Sequence, residues 1–174
     1  FSLPDLLFHQ ITDMEITIRG ISKKDNPEVE AIIKQSLTEY NMAKEGTVFT
    51  DPVLKDMYKA FDVPRADYFL AMHGEEICGG AGIAPLPGEE NNICELQRMF
   101  LKRAYRGKGI GYRLMQHCID YARQNAYRYC YLETSKNLYD AVRLYEKFGF
   151  NYLKEPMGET GHFSCELYMG LELT

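Results

Sequence analysis

The chain has 174 residues, a formal net charge of −5, 45% apolar residues and 26% charged residues. Those values suit one globular domain with a core of its own. The acidic balance argues against general nucleic-acid binding, and no apolar run approaches the roughly 18 residues of a membrane helix.

At the start, "FSLPDLLFHQ" lacks the basic opening and long apolar stretch of a secretory signal. Met14 opens "MEITIRG", so residues 1–13 are expected to be a leader or tag and 14–174 a single domain. Residues 15–21 alternate and predict a strand. Residues 26–41 place Val29, Ile32, Ile33 and Leu37 on one helical face, with Pro27 in the first turn. A second proline opening, Asp51-Pro52, predicts a shorter helix over 51–61. Residues 66–86 read as a hairpin turning at Gly74 and Glu75, and Gly79, Gly80 and Gly82 in its second arm mark a bulge or a close backbone approach.

Residues 92–101 form the next expected strand. Ile110, Leu114, Met115, Cys118 and Ala122 then repeat at helical spacing to about Asn125. Residues 127–134 alternate as a strand. "NLYDAVRLYEKFGF" (137–150) gives a helix with Ala141, Leu144, Tyr145 and Phe148 on one stripe and Gly149 as its stop. Two closing strands complete the order β-α-α-β-β-β-α-β-α-β-β. This is an α/β fold with a mixed central sheet of six or seven strands and flanking helices.

Five cysteines are scattered through these elements, with no CxxC pair and an odd count. That argues against a disulfide framework or a zinc cluster and for a reducing, cytoplasmic compartment. No HExxH or clustered His/Cys/Asp spacing occurs, so no metal is expected.

Between the strand at 92–101 and the following helix lies "RAYRGKGIGYRL" (103–114), with three glycines in five positions. A phosphate-binding P-loop would need Ser or Thr after Gly107-Lys108, where Gly109 stands. A GxGxxG dinucleotide fingerprint fails from Gly107 and from Gly109, since Tyr112 and Leu114 occupy the third glycine's place. The physical reading survives both failures. Bare glycines let backbone N–H groups face outward at a helix N-terminus, where the macrodipole favours an anion. Arg106 and Lys108 add cationic donors within a basic island of Lys102, Arg103, Arg106, Lys108 and Arg113. On an acidic protein that island suits a small polyanion.

"CELQRMFLKRAYRGKGIGYRLM" resembles motif A of the GNAT superfamily of acyl-CoA-dependent N-acyltransferases, whose Arg/Gln-x-x-Gly-x-Gly/Ala signature is met by Arg106, Gly109 and Gly111. "NLYDAVRLYEKFGF" resembles the same family's motif B, and the order of elements is similar to the family's across 14–174. The resemblance implies a transferase moving an acetyl group from acetyl-CoA to a primary amine of a small molecule or peptide. It implies that Arg106, Gly107, Lys108, Gly109, Ile110 and Gly111 wrap the pyrophosphate, and that Met99, Phe100 and Leu101 pair with the pantetheine arm. It also implies that this strand and the one at 127–134 splay apart where the thioester sits, and that Asn137 contacts the cofactor. Many relatives pair through their C-terminal strands, which implies a homodimer. An acyl-CoA-binding sensor without turnover, or a transferase using another acyl-CoA, are the alternatives this pattern leaves open.

Transfer to an amine needs a neutral nucleophile and a proton for the departing thiolate. A phenol near pKa 10 can protonate a thiolate whose conjugate acid lies near 8.5. Tyr145 stands where the family often places that phenol; its stripe fits a core aromatic equally. Glu95, four residues before Met99, is a candidate base, provided burial raises its carboxyl or a water chain relays the proton. Gln97 offers a polar contact. His162, expected on the turn between the last two strands, is a second candidate on the substrate side. Asn137 is expected to cap its helix, with Asp140 completing a capping box. The acceptor groove, by the same resemblance, lies between 26–61 and 154–163. Its acids Glu39, Glu45, Asp51, Asp56, Glu155 and Glu159 would favour a cationic amine.

Overall fold

The computed structural model describes residues 15–174; the expected leader, residues 1–13, lies outside the described residues. The elements follow the predicted order: β1 (Ile16–Gly20), α1 (Asn26–Glu39), α2 (Met57–Phe61), β2 (Asp67–His73), β3 (Glu76–Pro85), β4 (Ile93–Leu101), α3 (Ile110–Gln124), β5 (Tyr129–Thr134), α4 (Tyr139–Phe148), β6 (Asn151–Leu153) and β7 (Leu167–Glu172). The strands make one seven-stranded sheet in the order β1-β2-β3-β4-β5-β7-β6. Every neighbouring pair is antiparallel except β4 and β5, which run parallel.

Alternation along the strands splits the core in two. One face packs Cys94, Leu96, Cys130 and Leu132 against Leu114, Met115, Cys118 and Ile119 of α3 and Tyr145 of α4. The other packs Tyr68, Leu70 and Met72 against Val29, Ile33 and Leu37 of α1 and Met57 and Phe61 of α2. Burying each such large apolar side chain contributes roughly 1.5–3 kcal/mol. These two layers fix the sheet between helices and hold the ends of β4 and β5 in place.

Two local expectations change. The helix expected over 51–61 is a 3-10 turn, Pro52–Asp56, followed by α2. The break falls at Asp56, whose non-helical backbone lets its carboxylate accept from the Lys59 amide at 3.1 Å. The capping box expected at Asn137 does not form either. The turn before α4 takes Leu138 as the flanking residue, with no side-chain cap. Asn137 instead donates through Nδ2 to the Tyr40 carbonyl at 3.3 Å, and Asp140 accepts from the Tyr40 hydroxyl at 2.8 Å. Both groups are drawn sideways to α1 rather than along their own helix.

The central feature is a fork. β4 and β5 pair only over Ile93–Glu95 against Tyr129–Tyr131, although β4 continues to Leu101 and β5 to Thr134. A bulge in β4, opposite Ala81 of β3, coincides with a left-handed Arg98 at φ 51°. Bulges of this kind bend a strand and end its pairing. The β5-facing backbone of β4 past Glu95 therefore has no ladder partner, and such groups call for a ligand or water.

Candidate active site

A cleft of about 550 Å³ opens from this fork along β4 to the start of α3, walled on its far side by α4 and the C-terminal end of α1. Met99, Phe100, Leu101, Arg106, Gly107, Gly109 and Gly111 line it, seven of the residues the sequence assigned to the cofactor. Gly109 is the flanking residue of α3 at φ 79° and Gly107 lies at φ 72°; no atom would stand within 4 Å of a side chain added at either. The loop thus turns its bare backbone to open space at a helix N-terminus, the arrangement that receives a phosphate. Gly111 serves packing instead: a Cβ there would meet Leu144 at 3.3 Å.

Three of the charges expected at the loop are paired within the protein. The Arg106 guanidinium is turned back on α1, pairing with Glu39 at 2.7 Å and donating to the Leu101 carbonyl at 2.9 Å and to Ser36 at 3.2 Å. Lys102 is held by Glu28 and Glu76, and Arg113 by the Ile16 carbonyl. Arg106 braces the loop, and the outward donors are backbone amides. Ile110 is a buried core residue, present at the site through its backbone, and Lys108 sits near the Tyr105 ring. Asn137 is outside the lining, tied to Tyr40 as described.

Tyr145 is buried behind the lining residues Ala141 and Leu144, its ring 5.9 Å from that of Phe150. Burial pushes its phenol well above the ordinary range, so it stays protonated. No group among the described residues is hydrogen-bonded to its hydroxyl.

At the base of the fork, on the α1–α2 side of the sheet, a second arrangement stands. Glu95 closes the last β4–β5 pair, opposite Tyr131. It is 5% exposed, and burial pushes its carboxyl up to about 7, the nearby Glu133 adding to the shift while the Gln97 amide at 2.6 Å opposes it. Glu133, two residues beyond Tyr131 on the same face, accepts from the Tyr131 hydroxyl at 2.9 Å and the Thr160 hydroxyl at 2.7 Å. His162 lies with Nδ1 4.0 Å from Glu133 and Nε2 3.7 Å from Asp51. Asp51 is paired with Arg98 at 2.6 Å, and His162 and Arg98 hold its carboxyl well below the usual range. Residues from four separate stretches meet here.

Residues 32–150 match the Acetyltransferase (GNAT) family. The chain is 37% identical over 166 residues to the uncharacterized N-acetyltransferase YjgM of Escherichia coli (strain K12), a match covering 95% of this chain and 99% of that one. The chain belongs to the GNAT family. Its fold is shared with a GNAT-family acetyltransferase of Staphylococcus aureus Mu50 (TM-score 0.83, 21% identity, 92% of this chain and 100% of that one). It is shared too with a Salmonella typhimurium acetyltransferase whose structure holds its cofactor acetyl-CoA (TM-score 0.71, 21% identity, 91% and 94%). This chain is accordingly an acetyltransferase of the α/β GNAT fold.

Sequence reasoning named Glu95, Gln97, Asp51 and His162 in this GNAT enzyme and missed Glu133 and Arg98. Of the acids expected in the acceptor groove, Asp51 reaches the cluster, whereas Glu39 pairs with Arg106 and Asp56 caps α2. Tyr40, in the same 26–61 stretch, lines the cleft along β4. Glu133 and Arg98 carried no signal: strand alternation puts Tyr131 and Glu133 on one face, but only the β4–β5 register brings Glu95 beside them. Glu95, Glu133 and His162 also place one donor atom each within 4.8 Å of one another, a grouping that spacing along the chain could not show.

Proposed function

We propose that the chain transfers the acetyl group of acetyl-CoA to a cationic primary amine, with Glu95 as the base and Tyr145 as the acid. The observation that carries this reading is Glu95: a carboxyl at the fork whose burial raises it to about 7, where it can accept a proton near neutrality. The glycine amides from Gly107 to Gly111 hold the pyrophosphate, and the unpaired edge of Met99–Leu101 holds the pantetheine arm. Backbone N–H groups on that edge polarise the thioester carbonyl. Acetyl-CoA supplies the activated acyl group; the residues orient it and move the protons. Glu95 takes one proton from the incoming ammonium. Tyr145, kept protonated by burial, supplies a proton to the departing thiolate.

Three carboxylates, Glu95, Glu133 and Asp51, face one guanidinium and one imidazole at the acceptor end, which favours a cationic amine over an acidic one. Gln97, Tyr131 and Thr160 already donate to Glu95 and Glu133, which suits proton handling without a metal. A cytoplasmic setting agrees with five free cysteines, and no described helix is long and apolar enough to cross a membrane. A homodimer through the C-terminal strands belongs to the same reading: β6 is the outer strand of the sheet, with Tyr152 half exposed on it.

The test is thiol release from acetyl-CoA against a panel of polyamines, aminoglycosides and lysine peptides. The wild type should turn over at least one of them, and Glu95→Gln should lose about 10²–10³-fold in kcat. Binding of acetyl-CoA without thiol release on any amine would mark a sensor rather than an enzyme.

A further inference from the structure

The amine arrives as R–NH3+ and leaves as an amide with one N–H, so two protons depart from nitrogen in each turnover. With Glu95 as base, one goes to its carboxylate before the C–N bond forms. The second ends on sulfur as the C–S bond breaks, through the Tyr145 hydroxyl. The sulfur-bound proton leaves with the product thiol. The Glu95 proton does not, and it must reach solvent from a carboxyl that is 5% exposed.

The cluster offers a graded way out. The Glu133 side chain is likewise 5% exposed, and His162 is 19% exposed. One donor atom from each of the three lies within 4.8 Å of the other two, and His162 Nδ1 stands 4.0 Å from the Glu133 carboxylate. Glu133 accepts from a hydroxyl on each oxygen, while His162 stands between Asp51 at 3.7 Å and Glu133 at 4.0 Å. An imidazole set between two carboxylates, and more exposed than the carboxyl it would relieve, is the arrangement a proton hand-off needs.

We infer that His162 carries the proton taken up by Glu95 to solvent, and that Glu133 is the positioning residue that holds His162 beside Glu95. This rests on the reading of Glu95 as the base. The charged and titratable groups facing Glu95 are Arg98 on its own strand, Tyr131 and Glu133 on β5, His162 and Cys165 on the 154–166 segment, and Asp51 behind His162. Glu133 and His162 act on Glu95 with opposite sign. Anionic Glu133 favours the protonated carboxyl, and cationic His162 favours the carboxylate.

The opposite signs make the test. The Glu95 carboxyl can be followed by carbon-13 NMR across pH, its signal identified by its loss in Glu95→Gln. Glu133→Gln should lower the midpoint by on the order of one pH unit. Glu133→Asp should restore it partly, and His162→Gln should raise it. With the amine turned over fastest by the wild type, His162→Gln should lose about tenfold in kcat in dilute buffer with KM unchanged, and added imidazole should restore the rate. Unmoved midpoints in Glu133→Gln and His162→Gln, or a His162→Gln rate that ignores imidazole, overturn the relay. If Glu95→Gln itself keeps the wild-type rate, the base reading falls first. If Glu95→Gln is inactive while His162→Gln and Glu133→Gln match the wild type, the relay alone falls.

Discussion

The two ends of the fork are built by different means. The cleft proposed to hold acetyl-CoA is mostly backbone: left-handed glycines at a helix start, an unpaired strand edge, and an Arg106 turned inward to brace them. The end proposed for the acceptor is side chains, with Glu95, Glu133, His162, Asp51 and Arg98 converging from separate stretches. A backbone site serves a ligand that never changes, because amides cannot be substituted away. A side-chain site can be rewritten residue by residue, so acceptor choice can vary while the cofactor stays the same.

That comparison is broken most directly at the chemistry between the two ends. Tyr145→Phe removes only a hydroxyl from a ring that packs on Phe150, so the fold and acetyl-CoA binding should persist while kcat drops about 10²-fold. An unchanged kcat, measured by thiol release, would make Tyr145 a core aromatic and nothing more.

A smaller effect sharpens the acceptor end. Glu95 is raised to about 7 in the folded protein from an ordinary 4.5, so the folded state binds a proton that the unfolded chain has released in between. Its stabilising contribution is complete at pH values below 4.5 and is lost as pH rises through 7. From pH 5 to 9 the wild type should lose on the order of 2 kcal/mol relative to Glu95→Gln, read from urea midpoints at each pH. Parallel curves for the two proteins would mean that the carboxyl is not perturbed by burial.

The same contrast explains what could be read from the residues alone. The glycine loop was legible because its conformation is local: only glycine takes φ near 75° there without strain, and the requirement is written where it is met. Element order was legible because alternation and helical stripes persist over many residues. The capping role of Asn137 was misread because Tyr40, distant in sequence, competes for Asn137 and Asp140. Arg106 lines the cleft, and its pairing with Glu39 is a contact no local pattern reveals. Glu95 needed burial to serve as a base, and burial depends on the register that pairs it with Tyr131. Local chemistry speaks through sequence, and convergent chemistry speaks only through the fold.

The central claim is that the bare glycine backbone at the start of α3 receives acetyl-CoA. Thermal unfolding with and without acetyl-CoA, for the wild type and Gly109→Glu, tests it. Ligand at about 100 times Kd adds roughly 2.7 kcal/mol, so the wild-type Tm should rise by roughly 5–10 °C. Gly109→Glu, which puts a side chain and a negative charge where φ is 79°, should show no rise. No shift in the wild type, or an equal shift in both proteins, would contradict the account.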